Sequence, residues 1–178
     1  MGEDKSFLSY HNKPQCYHIY EMLQQFCKET FISCNAEQSS RIESAYRIIR
    51  DDWSFANRGP ATGVLTAFSI NPQKDLLVIA CDYPLLYAAE IDHFIKNIPG
   101  KSIAAAFYNA HEECYVPVLA WYSAAAGSML LQSPQLSLQQ LLKHLDAYKH
   151  TPVNSDSIKS VDTKEESEKV MHLTNQNR

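Results

Sequence analysis

The chain has 178 residues, 45% of them hydrophobic and 20% charged, with a formal net charge of -4. That suits one domain with a sizeable core and leaves no broad basic field to draw in nucleic acid. No apolar stretch approaches the roughly 20 residues needed to span a bilayer, the start Met1-Gly2-Glu3-Asp4-Lys5-Ser6 lacks a signal-peptide core, and Cys16, Cys27, Cys34, Cys81 and Cys114 form no Cys-x-x-Cys pair, so a cytoplasmic protein with reduced thiols and no zinc site is expected.

Residues 1–10 carry no helix or strand signal. Lys5 is a solvated surface charge there or, near a phosphate, a mobile ammonium able to reach an anionic oxygen. Asn12-Lys13-Pro14 is turn chemistry. From Gln15 to about Lys28 the apolar residues Cys16, Ile19, Tyr20, Leu23, Phe26 and Cys27 recur at helical spacing. Thr30 to Asn35 reads as a buried strand ending in a polar residue, residues 39–45 as a short helix, and Tyr46 to Arg50 as a strand followed at once by Asp51 and Asp52. A loop from Trp53 to Arg58 leads to Gly59-Pro60-Ala61-Thr62-Gly63, which opens a helix over residues 64–69. Gly59 permits close backbone approach to a ligand, and Pro60 suits a first helical turn; packing alone also explains both glycines.

Leu76-Leu77-Val78-Ile79-Ala80-Cys81-Asp82-Tyr83-Pro84 is a nearly unbroken apolar run ending in one carboxylate. It reads as a strand buried on both faces, of the kind central to a parallel sheet. The C-terminal end of such a strand faces the crevice where open α/β sheets bind ligands. Asp82 therefore either holds a hard cation or a ligand hydroxyl, or caps the helix that follows. Leu86 to Asn97 is that helix, stopped by Pro99-Gly100.

Residues 102–108 and 115–121 are expected to be a strand pair around the polar turn 109–113. His111, Glu112 and Glu113 diverge on such a turn and are read as solvated rather than as metal ligands. Two helices follow, residues 123–132 and 137–148, the second capped by Ser137. Residues 153–159 are loop, and Asp162 or Thr163 caps a terminal helix with Glu165 and Glu166 in its first turn. Alternating strands and helices predict an α/β sandwich of three layers with a mostly parallel, Rossmann-like sheet, in a single domain spanning 1–178. Asn35, Asp51 and Asp82 each end a strand, which suggests one ligand crevice at the sheet edge.

Met1-Gly2-Glu3-Asp4-Lys5-Ser6 with Lys13-Pro14 resembles the M-G-x-D-K-[SA] segment of molybdenum cofactor guanylyltransferases. Ile32-Ser33-Cys34-Asn35, Ile49-Arg50-Asp51, Gly59-Pro60-Ala61-Thr62-Gly63 and Cys81-Asp82-Tyr83-Pro84 follow in the family's order. So do Pro117-Val118-Leu119-Ala120, Ser137-Leu138-Gln139-Gln140-Leu141-Leu142 and Val161-Asp162-Thr163-Lys164-Glu165-Glu166, the last resembling N-T-P-E-[DE]. The resemblance covers nearly the whole chain.

It implies a nucleotidyltransferase that joins the GMP part of GTP to the phosphate of molybdopterin and releases pyrophosphate. By resemblance, Asp82 holds Mg2+ against the phosphates and Lys5 neutralises charge on the triphosphate as it splits. Asn35, Asp51 and Gly59 contact the nucleotide, with Asp52 as the alternative to Asp51. Asp162 stands where the family has Asn, near the pterin side. GTP and molybdopterin are the implied substrates, with molybdoenzyme maturation proteins as partners and neither nucleic acid nor membrane. Other expectations are a cytidylyl or sugar-phosphate transferase, or a non-catalytic cofactor-binding module. The family's L-x-G-G-x-S-x-R loop and its strand precede M-G-x-D-K, whereas this sequence starts inside that motif. The implication is a missing first strand, an unpaired sheet interior and poor GTP binding, by truncation in preference to natural loss.

Overall fold

A computed structural model describes residues 4–176. In chain order the elements are α1 (Gln15–Leu23), β1 (Ile32–Cys34), α2 (Ala36–Ser39), β2 (Ile48–Arg50), α3 (Ala61–Ile70), β3 (Leu76–Ile79) and α4 (Ala88–Asn97). They continue as β4 (Ala104–Asn109), β5 (Cys114–Tyr122), α5 (Ala124–Gln132), α6 (Leu138–His144), β6 (Tyr148–His150) and α7 (Lys164–Gln176). Single 3-10 turns form at Lys5–Phe7, Trp53–Phe55 and Ser155–Ile158. The chain gathers into two compact units.

The first unit holds the described residues up to Thr30, then Ala80–Lys96 and the residues from Pro152 on. Its helices are α1, α4 and α7. The apolar spacing that predicted α1 buries Cys16, Ile19, Tyr20 and Leu23. The helix stops at Leu23 rather than Lys28, and Phe26 and Cys27 continue only as turns. Tyr10, Val161 and Val170 form a small core with Leu8, Leu85 and Met171 packed on it. That core fastens the segment after Asp82, through Leu85, and the segment at Val161 to the N-terminal turn.

The second unit is Phe31–Ile79 with Asn97–Thr151. It contains a parallel pair, β1–β2, and a four-stranded sheet in the order β3-β5-β4-β6. β5 runs antiparallel to both β3 and β4, and β6 runs parallel to β4, so β3, β4 and β6 share one direction and β5 opposes them. The architecture is α/β, as expected. The run Leu76–Ile79 is a strand, but it stands at the end of its sheet rather than the centre, and its residues are half-buried. An apolar run encodes an extended, dry segment; it does not encode the neighbours on either side. Among the described residues β1 and β3 each pair on one side only.

The core of this unit lies between the sheet and α3, α5 and α6. Leu65, Phe68, Leu130, Leu141, Leu142 and Tyr122 are fully buried there. Gly63 lets α3 approach β1: a methyl group at this position would run into Ser33 Oγ. Gly127 does the same for α5, where a methyl would run into the Phe68 ring. Three further sequence expectations need correction. The helix placed at 39–45 is at Ala36–Ser39, because Asn35 and Gln38 form a reciprocal capping box that starts it early. The helix expected to reach 148 ends at His144; Asp146 takes φ 45° and Tyr148–His150 leaves as β6. The loop at 53–58 contains a 3-10 turn capped by Asp52. The β4–β5 hairpin forms as predicted, its turn held by Asn109 Oδ1, which accepts from the backbone N–H groups of His111 (3.1 Å) and Glu112 (3.3 Å).

Candidate functional site

In the first unit Lys5, Asp82 and Asp162 come together. Asp4 caps the 3-10 turn that presents Lys5, its Oδ1 accepting from Ser6 N at 3.0 Å and Ser6 Oγ at 2.7 Å. The Lys5 ammonium donates to Asp162 Oδ1 at 2.5 Å, and Ser160 Oγ donates to Asp162 Oδ2 at 2.9 Å. Those two bonds hold the Asp162 carboxyl below the usual carboxylate range. The backbone carbonyl of Asp82 accepts from Val161 N at 2.8 Å, which brings the Asp162 segment alongside Asp82.

Asp82 is not a helix cap: α4 begins only at Ala88. Its Oδ1 is buried and has no hydrogen-bond partner among the described residues. Burial pushes its carboxyl above the usual range; its own backbone N–H and the Lys5 ammonium act in the opposite direction, and Asp162 adds to the rise. A buried carboxylate oxygen without a donor carries a desolvation penalty that a hard cation would offset. Two carboxylates beside one ammonium form an oxygen-donor set suited to Mg2+ or Mn2+, which needs only one or two carboxylates and keeps several waters.

In the second unit Asn35 and Asp51 follow the paired strand ends Cys34 and Arg50, and Asp51 N donates to Cys34 O at 2.9 Å. The Asn35 carbonyl oxygen accepts from Gln38 N at 2.8 Å and so caps α2. Asp51 Oδ1 accepts from Ser33 Oγ at 3.2 Å and faces the start of α3 near Gly63. Asp52, the alternative acid, is committed elsewhere: its Oδ1 accepts from Ser54 N and Ser54 Oγ, both at 2.8 Å, and these bonds hold its carboxyl low. Of the two neighbouring acids, Asp51 is the one whose carboxylate carries no capping duty. Gly59 has φ 55°, a left-handed conformation, and nothing lies within 4 Å of where a Cβ would stand. Its backbone is therefore open to a ligand, and a side chain there would be strained.

Residue types at strand ends pointed to Asp82, but not to what holds it. His11 Nε2 lies 3.0 Å from the carbonyl oxygen of Pro84. A carbonyl only accepts, so His11 carries its proton on Nε2 and donates. The one sequence signal nearby was the turn Asn12-Lys13-Pro14, which follows His11 and in which Asn12 takes φ 60°. The expected thiols are all free cysteines, and Cys81, beside Asp82, is pushed well above its usual range by burial. No helix among the described residues is long and apolar enough to cross a membrane.

Residues 1–151 match the model of the MobA-like NTP transferase domain family. A molybdenum cofactor biosynthesis bifunctional protein of Synechocystis sp. is 23% identical over 171 residues, covering 93% of this chain and 48% of that protein. A molybdenum cofactor guanylyltransferase of Shewanella halifaxensis is 36% identical over 85 residues, covering 48% of this chain and 42% of that one. The chain thus spans about half the length of the curated relatives it matches. Among solved structures, a CMP:2-keto-3-deoxy-manno-octonic acid synthetase complexed with CTP superposes with TM-score 0.71 at 13% identity, covering 98% of this chain and 92% of that one. Rv0371C of Mycobacterium tuberculosis, in complex with manganese, gives TM-score 0.66 at 14% identity, covering 96% and 93%. Both likenesses are of fold.

Proposed function

Because the chain belongs to the MobA-like NTP transferase family, we propose that it is a metal-dependent nucleotidyltransferase that moves GMP from GTP to the phosphate of molybdopterin. An oxygen of the molybdopterin phosphate attacks the α-phosphorus of GTP. The bond from that phosphorus to the bridging oxygen breaks, and pyrophosphate leaves with the electron pair. The demand on the protein is alignment and charge neutralisation.

Asp82 would hold Mg2+, with Asp162 as the second carboxylate near it; the ion supplies charge neutralisation on the phosphates. Lys5 is poised on Asp162 and would turn to the triphosphate. Asp51 would contact the nucleotide through its carboxylate and Gly59 through its exposed backbone. Asn35 would do so through its side-chain NH2 group, since its carbonyl oxygen is used by α2. The chain would work as one catalytic domain in the cytoplasm and pass its product to proteins that mature molybdoenzymes.

The observation that carries this reading is the buried, partnerless Oδ1 of Asp82 beside Lys5 and Asp162. A second reading, with CTP as the donor, is favoured by the fold likeness to the CTP-bound synthetase. Calorimetric titration with GTP and CTP in the presence of Mg2+ separates the two. GTP binding lost in Asp82→Ala supports the first, and preference for CTP the second. Absence of binding to either nucleotide, also in a chain extended by the family's first strand and glycine-rich loop, leaves a non-catalytic module.

A further inference from the structure

We infer that His11, backed by His18, is a positioning residue for Asp82. The inference rests on the reading of Asp82 as the metal-holding carboxylate.

The backbone leaving the Asp82 side chain is pinned at two carbonyls, its own and that of Pro84. Val161 N holds the Asp82 carbonyl at 2.8 Å, and His11 Nε2 holds the Pro84 carbonyl at 3.0 Å. The first bond ties the loop to the segment that carries Asp162. The second ties it to the turn between Lys5 and α1. Leu85 and Tyr10, the next residues along each segment, meet in one apolar cluster.

The His11 ring has little freedom to turn away. It stacks on His18 with centroids 3.9 Å apart and planes 19° from parallel, and the edge of Tyr87 closes another side at 6.2 Å. His18 projects from α1, a rigid support, and its Nε2 is buried without a hydrogen-bond partner. It contributes a flat neutral ring rather than a polar contact. Burial, followed by the charges of His11 and Lys13, lowers its pKa to about 4, which keeps it uncharged near neutrality; Glu21, paired with Lys13, opposes the shift weakly. Two charged imidazoles at this separation would repel; a neutral one stacks. The whole train, α1 to His18 to His11 to the Pro84 carbonyl, fixes where the Asp82 carboxylate stands. Metal affinity is sensitive to such outer supports, which typically matter by about 10–100-fold when removed.

The test is Mn2+ binding by the full chain, with and without GTP, followed by electron paramagnetic resonance and paired with thermal melting. His11→Ala is expected to weaken Mn2+ about tenfold. His11→Gln restores an N–H donor of similar reach and should recover most of that loss. His18→Phe keeps the flat ring and should leave affinity near wild type. Asp82→Asn should abolish binding. If His11→Ala lowers only the melting temperature and leaves Mn2+ affinity intact, the positioning role is overturned while the Asp82 reading stands. The positioning role is equally overturned if His11→Ala does not fold but His18→Ala, which removes the backing ring, binds Mn2+ as wild type does. Failure of Asp82→Asn to change binding, or absence of Mn2+ binding by the wild-type chain, overturns both.

Discussion

Asp82 pits local stability against chemistry. Its folded-state pKa is raised, so the folded chain keeps the proton more readily than the unfolded one just above the ordinary carboxylate range. Stability from this group is present at low pH and is lost as pH rises through the folded value. At neutral pH, without a cation, a buried negative oxygen with no donor opposes folding. Asp82→Asn is accordingly expected to raise the melting temperature at pH 7 and to lose any protection by Mn2+, as melts with and without the ion would show. His18 has the reverse sign for a base. Its folded pKa of about 4 lies below the ordinary 6.5, so the unfolded chain binds more protons between these values. Stability should therefore fall as pH drops from about 6.5 to about 4, and that slope should flatten in His18→Phe.

Among the elements, α3 and α5 depend on a missing side chain. Phe68, fully buried on α3, fills the space over Gly127 on α5. Gly127→Ala is expected to cost about 1–3 kcal/mol through overpacking. Phe68→Ala should cost about 3–5 kcal/mol through the cavity it leaves. The double variant should be less destabilised than the sum, because the methyl group enters the vacated space; urea titration of the three variants measures the coupling. Capping chemistry explains where sequence reading of elements succeeded. Ser137 caps α6 through Gln140 N at 3.1 Å, and Thr163 with Glu166 opens α7 through reciprocal bonds. These signals are local, so they are legible. The end of α6 was not, because Tyr148–His150 becomes a strand only by pairing with Ala105–Phe107, far earlier in the chain.

For the molecule as a whole, the sequence by itself determined the α/β class, the hairpin, the free thiols and the family, through ordered short motifs and apolar periodicity. It also singled out Asp82, because one carboxylate after an apolar run is conspicuous. Tertiary structure decided the rest. It stood β3 at the end of its sheet, left Asp51 rather than Asp52 free of capping, and seated Lys5 on Asp162, a residue 157 positions away. It joined His11 to the Pro84 carbonyl across 73 positions. Periodicity and caps are set by neighbours within a few residues, whereas a strand's partners and a carboxylate's counter-charge come from segments that meet only when the chain has closed on itself.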